Sequence, residues 1–190
     1  MQFLIETERL ILREFRTNDD TAMFELDSNP EAHHYLGNNP VTDIQQVQNY
    51  ISSIQQQYLD NGIGRWITIE KSSNEIIGWS GLKFITDYEN NHINFHDVGY
   101  RFMPQYWGKG YATEATHAAL KYGFESMKLN KIVGTAHIDN KASRRVLEKC
   151  GLQFIEQFMW NNIQCNWLEI NSEQWKSVSK YNNYNSPNMV

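Results

Sequence analysis

The stretch Asp97–Ala115, DVGYRFMPQYWGKGYATEA, decides how this chain is read. Its opening residues, Asp97–Met103, are strand-like, and Pro104 breaks them off. A short glycine-bearing loop, Gln105–Gly110, follows, and an alanine-rich helix begins near Tyr111. Strand, tight loop and helix N-terminus in succession make a place for phosphate. Glycine lets the backbone approach a ligand closely, and the unpaired N–H groups of the first helical turn point at the anion.

Upstream, Gly64–Glu70, Glu75–Ile85 and Ile93–Met103 read as three strands joined by the short turns Ser72–Asn74 and Asp87–Asn91, an antiparallel meander. Before them, Glu8–Phe15 reads as the first strand. Thr17–Asp20 offers caps for a short helix to about Asp27, and Glu31–Leu36 for another helical turn. Thr42 or Asp43 caps a longer helix to about Asp60, with Ile44, Val47, Tyr50, Ile51, Ile54 and Tyr58 on one face and Asn61-Gly62 at its end. Downstream, Tyr111–Met127 is a helix with Ala112, Ala115, Ala119 and Tyr122 in one stripe. Lys131–Ile138 is a strand after a helical crossover, so it should pair parallel to the previous one. Asn140 caps a helix Lys141–Cys150, with Ala142, Val146, Leu147 and Cys150 inward and Gly151 closing it. Gln153–Trp160 and Ile163–Ile170 form a closing hairpin, and Ser172–Ser179 a terminal helix.

The chain has 190 residues, 41% hydrophobic and 13% aromatic, which suits one globular domain with a substantial core. That domain covers residues 1–180, and the polar, aperiodic tail 181–190 is expected to be disordered. The formal net charge of −5 argues against a nucleic-acid binder held by phosphate contacts. It is compatible with a cationic substrate, but a modest negative charge is ordinary for a soluble protein, and that is the favoured reading. Two cysteines, Cys150 and Cys165, without C-x-x-C spacing, make no disulfide framework and point to a reducing compartment. The N-terminus carries no signal-peptide pattern, and no run nears the ~18 apolar residues of a membrane span. The expectation is a cytoplasmic protein with no membrane partner.

The element order, β-α-α-β-β-β-α-β-α-β-β, is α+β, and the chain resembles the GNAT acetyltransferase superfamily. QYWGKGYATEA and NKASRRVLEKCGLQF are similar to its Rim-type branch, which includes ribosomal-protein N-terminal acetyltransferases, and TERLILREF is a further feature of that branch. The superfamily loop pattern, Gln/Arg-x-x-Gly-x-Gly/Ala, is filled by Gln105, Gly108 and Gly110. The likeness runs from about Thr7 to Ile170. It implies the GNAT fold, a mixed, mostly antiparallel, twisted seven-stranded sheet flanked by helices. It also implies an acetyl-CoA-dependent N-acetyltransferase without a metal. The acceptor is a primary amine, either a protein N-terminus or a small molecule. The alternative on the same fold is a non-catalytic acyl-CoA-binding or regulatory module. A homo-oligomer stays open.

The resemblance places acetyl-coenzyme A on this stretch. Backbone N–H groups of Gln105–Tyr111, with Gly108, Lys109 and Gly110 at the centre and Ala112 in the helix's first turn, cradle the pyrophosphate. Lys109 either adds charge near the 3′-phosphate or is merely solvated. No G-x-x-x-x-G-K-[ST] or G-x-G-x-x-G exists, so a nucleoside triphosphate loop is a poor fit. Pantetheine runs along the strand end at Phe102 and Met103, where this strand and Lys131–Ile138 splay apart, and a bulge near Gly99–Phe102 is expected there. Asn140 caps its helix and contacts pantetheine. Ser143, three residues on, matches the Rim-type serine and is the candidate acid for the departing thiolate. Other branches place a tyrosine where Leu147 stands. Ser143 also reads as an ordinary first-turn residue. Asp97 is the candidate base, or simply binds the cationic amine. The opposing reading is a strand-end carboxylate paired with Arg101 or another cation. Alternation puts Asp97, Gly99 and Arg101 on one face and His96, Val98, Tyr100 and Phe102 on the other. His96 is the second candidate base. His33-His34 falls near the acceptor side, His92 and His96 form no metal pair, and His117 and His137 read as structural. Tyr35, Phe158 and Trp160 line an acceptor pocket or are ordinary packing.

Overall fold

The computed structural model describes residues 4–185, with side chains through Val178. β1 (Leu4–Glu6) and β2 (Leu10–Arg13) form a tight hairpin at the start. A 3-10 turn, Thr17–Asp19, leads into α1 (Asp20–Asp27), then α2 (Pro30–His33) and α3 (Ile44–Asn61). Asp43 and Gln46 close a capping box at the head of α3, and Gly62 ends it at φ 67°, a conformation glycine adopts without strain. The meander follows as β3 (Arg65–Glu70), β4 (Glu75–Ile85) and β5 (Phe95–Phe102). α4 (Tyr111–Lys121) continues into a π-helical turn, Tyr122–Ser126. Then come β6 (Lys131–His137), α5 (Lys141–Lys149), β7 (Gln153–Trp160), β8 (Ile163–Asn171) and α6 (Ser172–Asn185).

The eight strands make one sheet in the order β1-β2-β3-β4-β5-β6-β8-β7. Every neighbouring pair is antiparallel except β5 and β6. One core fills each face. Leu82, Val98, Phe102, Ile132 and Ala136 point to α4, α5 and α6, where Ala115, Ala119, Leu147 and Trp175 close the layer. Ile67, Trp79 and Met103 point the other way, to Met23 and Leu26 of α1 and Val47, Ile51 and Ile54 of α3. On that second face, beyond β5, Val133, Phe158, Cys165 and Trp167 form a third cluster.

The fold is the α+β arrangement expected, with four local differences. The sheet has eight strands rather than seven, because the chain from Leu4 to Arg13 folds back on itself. Thr7 makes that turn: its amide and hydroxyl both engage Leu10. The bulge expected near Gly99–Phe102 is absent, since β4 and β5 keep unbroken register from Ile85↔Phe95 to Gly78↔Phe102. Bulges lie instead between Thr68 and Ile69 and between Phe154 and Glu156. Ala142, expected inward on α5, is exposed, while Leu147 and Cys150 are buried. α6 runs past Ser179 to Asn185, so residues 181–185, expected to be disordered, are helical. Residues 186–190 lie outside the described chain.

Candidate active site

The glycine loop sits where the sequence puts it. Pro104–Tyr106 form a 3-10 turn, and Gly108 and Gly110 hold φ of 74° and 85°, both in the left-handed region. Gly110 is also the N-cap of α4, and no side chain caps that helix. α3 and α5 differ: Asp43 and Asn140 accept their first-turn N–H groups. The head of α4 therefore keeps its donors and its positive dipole end for an outside anion. Gln105, Gly108, Lys109 and Gly110 are exposed, whereas the side chains of Phe102, Met103 and Tyr111 are buried and offer a ligand only backbone. Ala112 is half-buried in the first turn. Trp107, which the sequence reading passed over, donates its indole N–H to the Phe102 carbonyl at 2.7 Å and ties the loop to the end of β5.

β5 and β6 make one parallel ladder contact, Asp97↔Val133. Beyond it the two strands have no further ladder pairing, and β5 runs on to the glycine loop. α5 lies beside this gap. Asn140 Oδ1 accepts the Ser143 amide at 2.9 Å, so the N-cap fixes the first turn that carries Ser143. Tyr100 of β5 reaches across and donates its hydroxyl to Ser143 Oγ at 2.9 Å. Burial raises the Tyr100 phenol above its ordinary range, so it stays protonated and a donor. The Ser143 oxygen accepts from Tyr100, and its own proton is left to give. Sequence reasoning missed Tyr100 because pairing across a gap has no local signature. Leu147, where other branches carry tyrosine, is buried in the core under Gly134.

On the opposite face, Asp97, Gly99 and Arg101 lie together as alternation requires. The partner of Asp97 is Arg65 rather than Arg101. Its guanidinium crosses the face over Gly99, bonds the carbonyls of Gly81 and Asp97, and ends on Asp97 Oδ2. A Cβ on Gly99 would stand 2.7 Å from Arg65 Nη2, so only glycine leaves that path open. Asp97 Oδ1 is buried without a hydrogen-bond partner among the described residues. Burial pushes the Asp97 carboxyl above its ordinary value and Arg65 opposes this. Arg101 turns instead to Asp27, with His33 Nε2 at 3.4 Å from the same guanidinium nitrogen. Burial and Arg101 both lower the His33 imidazole. His33, given only a position by the sequence, thus joins the cluster of Arg101 and Asp27 on the face that carries Asp97. His96 is not: it packs on Phe84, 4.9 Å between ring centres, on the face turned to α4.

The chain after α2 meets the end of β6 and the β7–β8 hairpin. Tyr35 lies 5.3 Å from the His137 ring at the end of β6. A Cβ on Gly37 would come within 3.5 Å of Ile163 in the β7–β8 hairpin. Phe158 is buried in the third cluster, and Trp160 stays exposed at the hairpin tip. His117 packs on Trp175 and His92 stacks on Trp167. Both cysteines are buried and unpaired, and burial pushes their thiols up, Cys150 to about 12 and Cys165 to about 11, which leaves neither as a nucleophile.

An uncapped glycine loop, a single parallel pairing and a serine at the head of α5 are what the structure sets around β5, and comparison with known proteins bears on them from another direction. The acetyltransferase (GNAT) domain model matches residues 9–153. The uncharacterized N-acetyltransferase p20 of Bacillus licheniformis is 33% identical over 147 residues, 77% of this chain and 80% of that one. The uncharacterized N-acetyltransferase YoaA of Bacillus subtilis strain 168 is 30% identical over 162 residues, 84% of this chain and 89% of the other. The crystal structure of a GNAT-family acetyltransferase from Bacillus anthracis superposes with a TM-score of 0.74 at 29% identity, covering 90% of this chain and 99% of that one. Each match spans the glycine loop together with the strands that flank it, and on that ground the chain belongs to the GNAT acetyltransferase family and is an N-acetyltransferase.

Proposed function

We propose that the protein transfers an acetyl group from acetyl-coenzyme A to a primary amine by direct attack on the thioester, the acceptor being a protein N-terminal α-amine or a small-molecule amine. One observation carries this reading: β5 and β6 share a single ladder contact, Asp97↔Val133, and β5 continues from it through the glycine loop to the uncapped head of α4. Gly108–Gly110 and the first turn of α4 hold the pyrophosphate. The parted edges of β5 and β6 pair with the amides of pantetheine as an added strand would. A backbone N–H between Gly99 and Phe102 polarises the thioester carbonyl and stabilises its oxyanion.

Asp97 Oδ1 takes a proton from the incoming ammonium, directly or through a water, and leaves a free lone pair on nitrogen. The amine adds to the carbonyl to give the oxyanion, which collapses with cleavage of the C–S bond. Ser143 gives its proton to the departing thiolate, with Tyr100 donating to the serine oxygen, and recovers one through solvent from the nitrogen, which still carries a surplus proton after the attack. The two unpaired, buried cysteines support a reducing, cytoplasmic setting and a mechanism without a covalent intermediate. No helix among the described residues is long and apolar enough to cross a membrane.

The test is a coenzyme A titration by calorimetry, followed by a thiol-release assay with acetyl-coenzyme A over a panel of peptides and small amines. Saturable binding and turnover on at least one amine is the expected result. Tight binding with no turnover on any amine would instead favour the non-catalytic module.

A further inference from the structure

Thr7, Arg9 and Glu114 have no part in the chemistry above, yet they form the densest polar cluster touching the glycine loop. Arg9 donates from Nε to Glu114 Oε2 at 2.7 Å, and its Nη2 stands 2.7 Å from the same oxygen. The Arg9 amide and the Thr7 hydroxyl both donate to Glu114 Oε1, at 2.9 and 2.6 Å. The remaining arm of the guanidinium, Nη1, donates to the carbonyl of Lys109 at 2.9 Å, inside the loop itself. The guanidinium lies over the Tyr111 ring, 4.5 Å from its centre.

We propose that Arg9 is a positioning residue for the phosphate-binding loop, turning the Lys109–Gly110 peptide so that its N–H faces the pyrophosphate of coenzyme A. This rests on the reading that Gln105–Gly110 holds that pyrophosphate. The geometry follows from the planar trans peptide, in which C=O and N–H point in opposite directions. With the Lys109 oxygen drawn to Arg9, the Gly110 N–H is turned to the far side. The opposite peptide orientation would aim a carbonyl oxygen at the anion. Thr7 and Arg9 also remove a competitor. Glu114 stands at the start of α4, where a loose carboxylate would be drawn to the same helix end as the phosphate. Both its oxygens are instead held on the β1–β2 turn. Arg9 is 41% exposed, and an ion pair that open to water adds little stability. Its consequence is therefore geometric: a loop fixed before ligand arrives loses less entropy on binding. Lysine cannot replace it, because the task needs a planar fork that serves a carboxylate and a carbonyl together.

Arg9→Ala should raise the dissociation constant of coenzyme A about tenfold, the size of one charge-assisted hydrogen bond. The KM for acetyl-coenzyme A should rise with it, while kcat at saturation changes by less than about twofold. Arg9→Lys should recover less than half of the loss. S-acetylpantetheine, which lacks the pyrophosphate, is the discriminating probe: its KM should be the same in wild type and variant. Equal rises for both donors, or an unchanged dissociation constant for coenzyme A, would overturn the assignment. Should Arg9→Ala not fold, Thr7→Val loosens the same clamp from its other end, with a smaller effect expected on coenzyme A and none on S-acetylpantetheine. Wild-type protein that binds no coenzyme A would overturn the site reading itself, and this inference with it.

Discussion

Two side chains that face the parted strands carry sharply different demands. In the proposed mechanism Ser143 gives up a proton that a hydroxyl holds tightly, and Tyr100 helps by donating to the serine oxygen. Ser143→Ala should lower kcat about a hundredfold, the lower end for a lost general acid, with a smaller change in KM for acetyl-coenzyme A. Tyr100→Phe should fall in the same direction by about tenfold, one polarising hydrogen bond. A Ser143→Ala enzyme with wild-type kcat would remove the serine from the mechanism. As the proposed base Asp97 would act in the deprotonated form; burial raises its pKa and Arg65 opposes this. The acid limb of kcat/KM should thus lie above the ordinary 3.8 of an aspartate, with activity lost as pH falls through it. Arg65→Gln removes the lowering charge, so the limb should move to still higher pH. A limb that stays in place would mean that Asp97 is not the titrating group. Motif position suggested Asp97 and Ser143 as candidates. It gave no sign of Arg65, which stands 32 residues away and is brought near only by strand pairing. The hint in the sequence was Gly99, a small residue in the middle of a strand, whose purpose is visible only once the guanidinium above it is seen.

At the scale of elements, the strand–loop–helix unit was readable because each part has a strong local signal: Pro104, the glycines, and the alanine-rich start of α4. What the sequence could not supply was set by pairing and packing. β1 is three residues long, too short to show alternation, and exists because the Thr7 turn lays it on β2. The pairing of β5 with β6 ends without the bulge that a splay of the two strands led one to expect, since β5 stays in register with β4 throughout. Gly108 and Gly110 separate two effects. A Cβ at Gly108 meets nothing within 4 Å, so Gly108→Val acts through φ alone, about 1–2 kcal/mol of backbone strain. It should weaken coenzyme A binding with little change in the core, and unchanged affinity would exclude the loop as the phosphate site. Leu147→Tyr, which restores the tyrosine of other branches, should fail to raise kcat. Leu147 is 1% exposed and its methyl groups pack on Gly134, so the larger ring should cost about 1–3 kcal/mol, read as a lower Tm.

For the whole molecule, the sheet is continuous in hydrogen bonding except along one seam, and helices cover both of its faces. Backbone amides of Gly99–Phe102 that point away from β4 should exchange with solvent quickly in the free protein and be protected when coenzyme A is added. Exchange unchanged at saturation would place the ligand elsewhere. Acid stability should carry a signature of the Glu114 cluster. Burial raises that carboxyl, but hydrogen bonds from Thr7 and Arg9 and the Arg9 charge outweigh it and hold the pKa below its ordinary 4.5. A lowered folded-state pKa contributes stability that is complete above 4.5 and is lost as pH falls through the folded value. Thermal unfolding measured from about pH 6 to pH 3 should show Glu114→Gln losing less stability than wild type over the acid part of that range. The same cluster joins residues 105 positions apart in the chain. Closing so long a segment is slow, and contacts of that span form after the local ones. The glycine loop is therefore expected to be fixed after the meander and the first helices. Refolding followed by coenzyme A capture should lag behind refolding followed by tryptophan fluorescence.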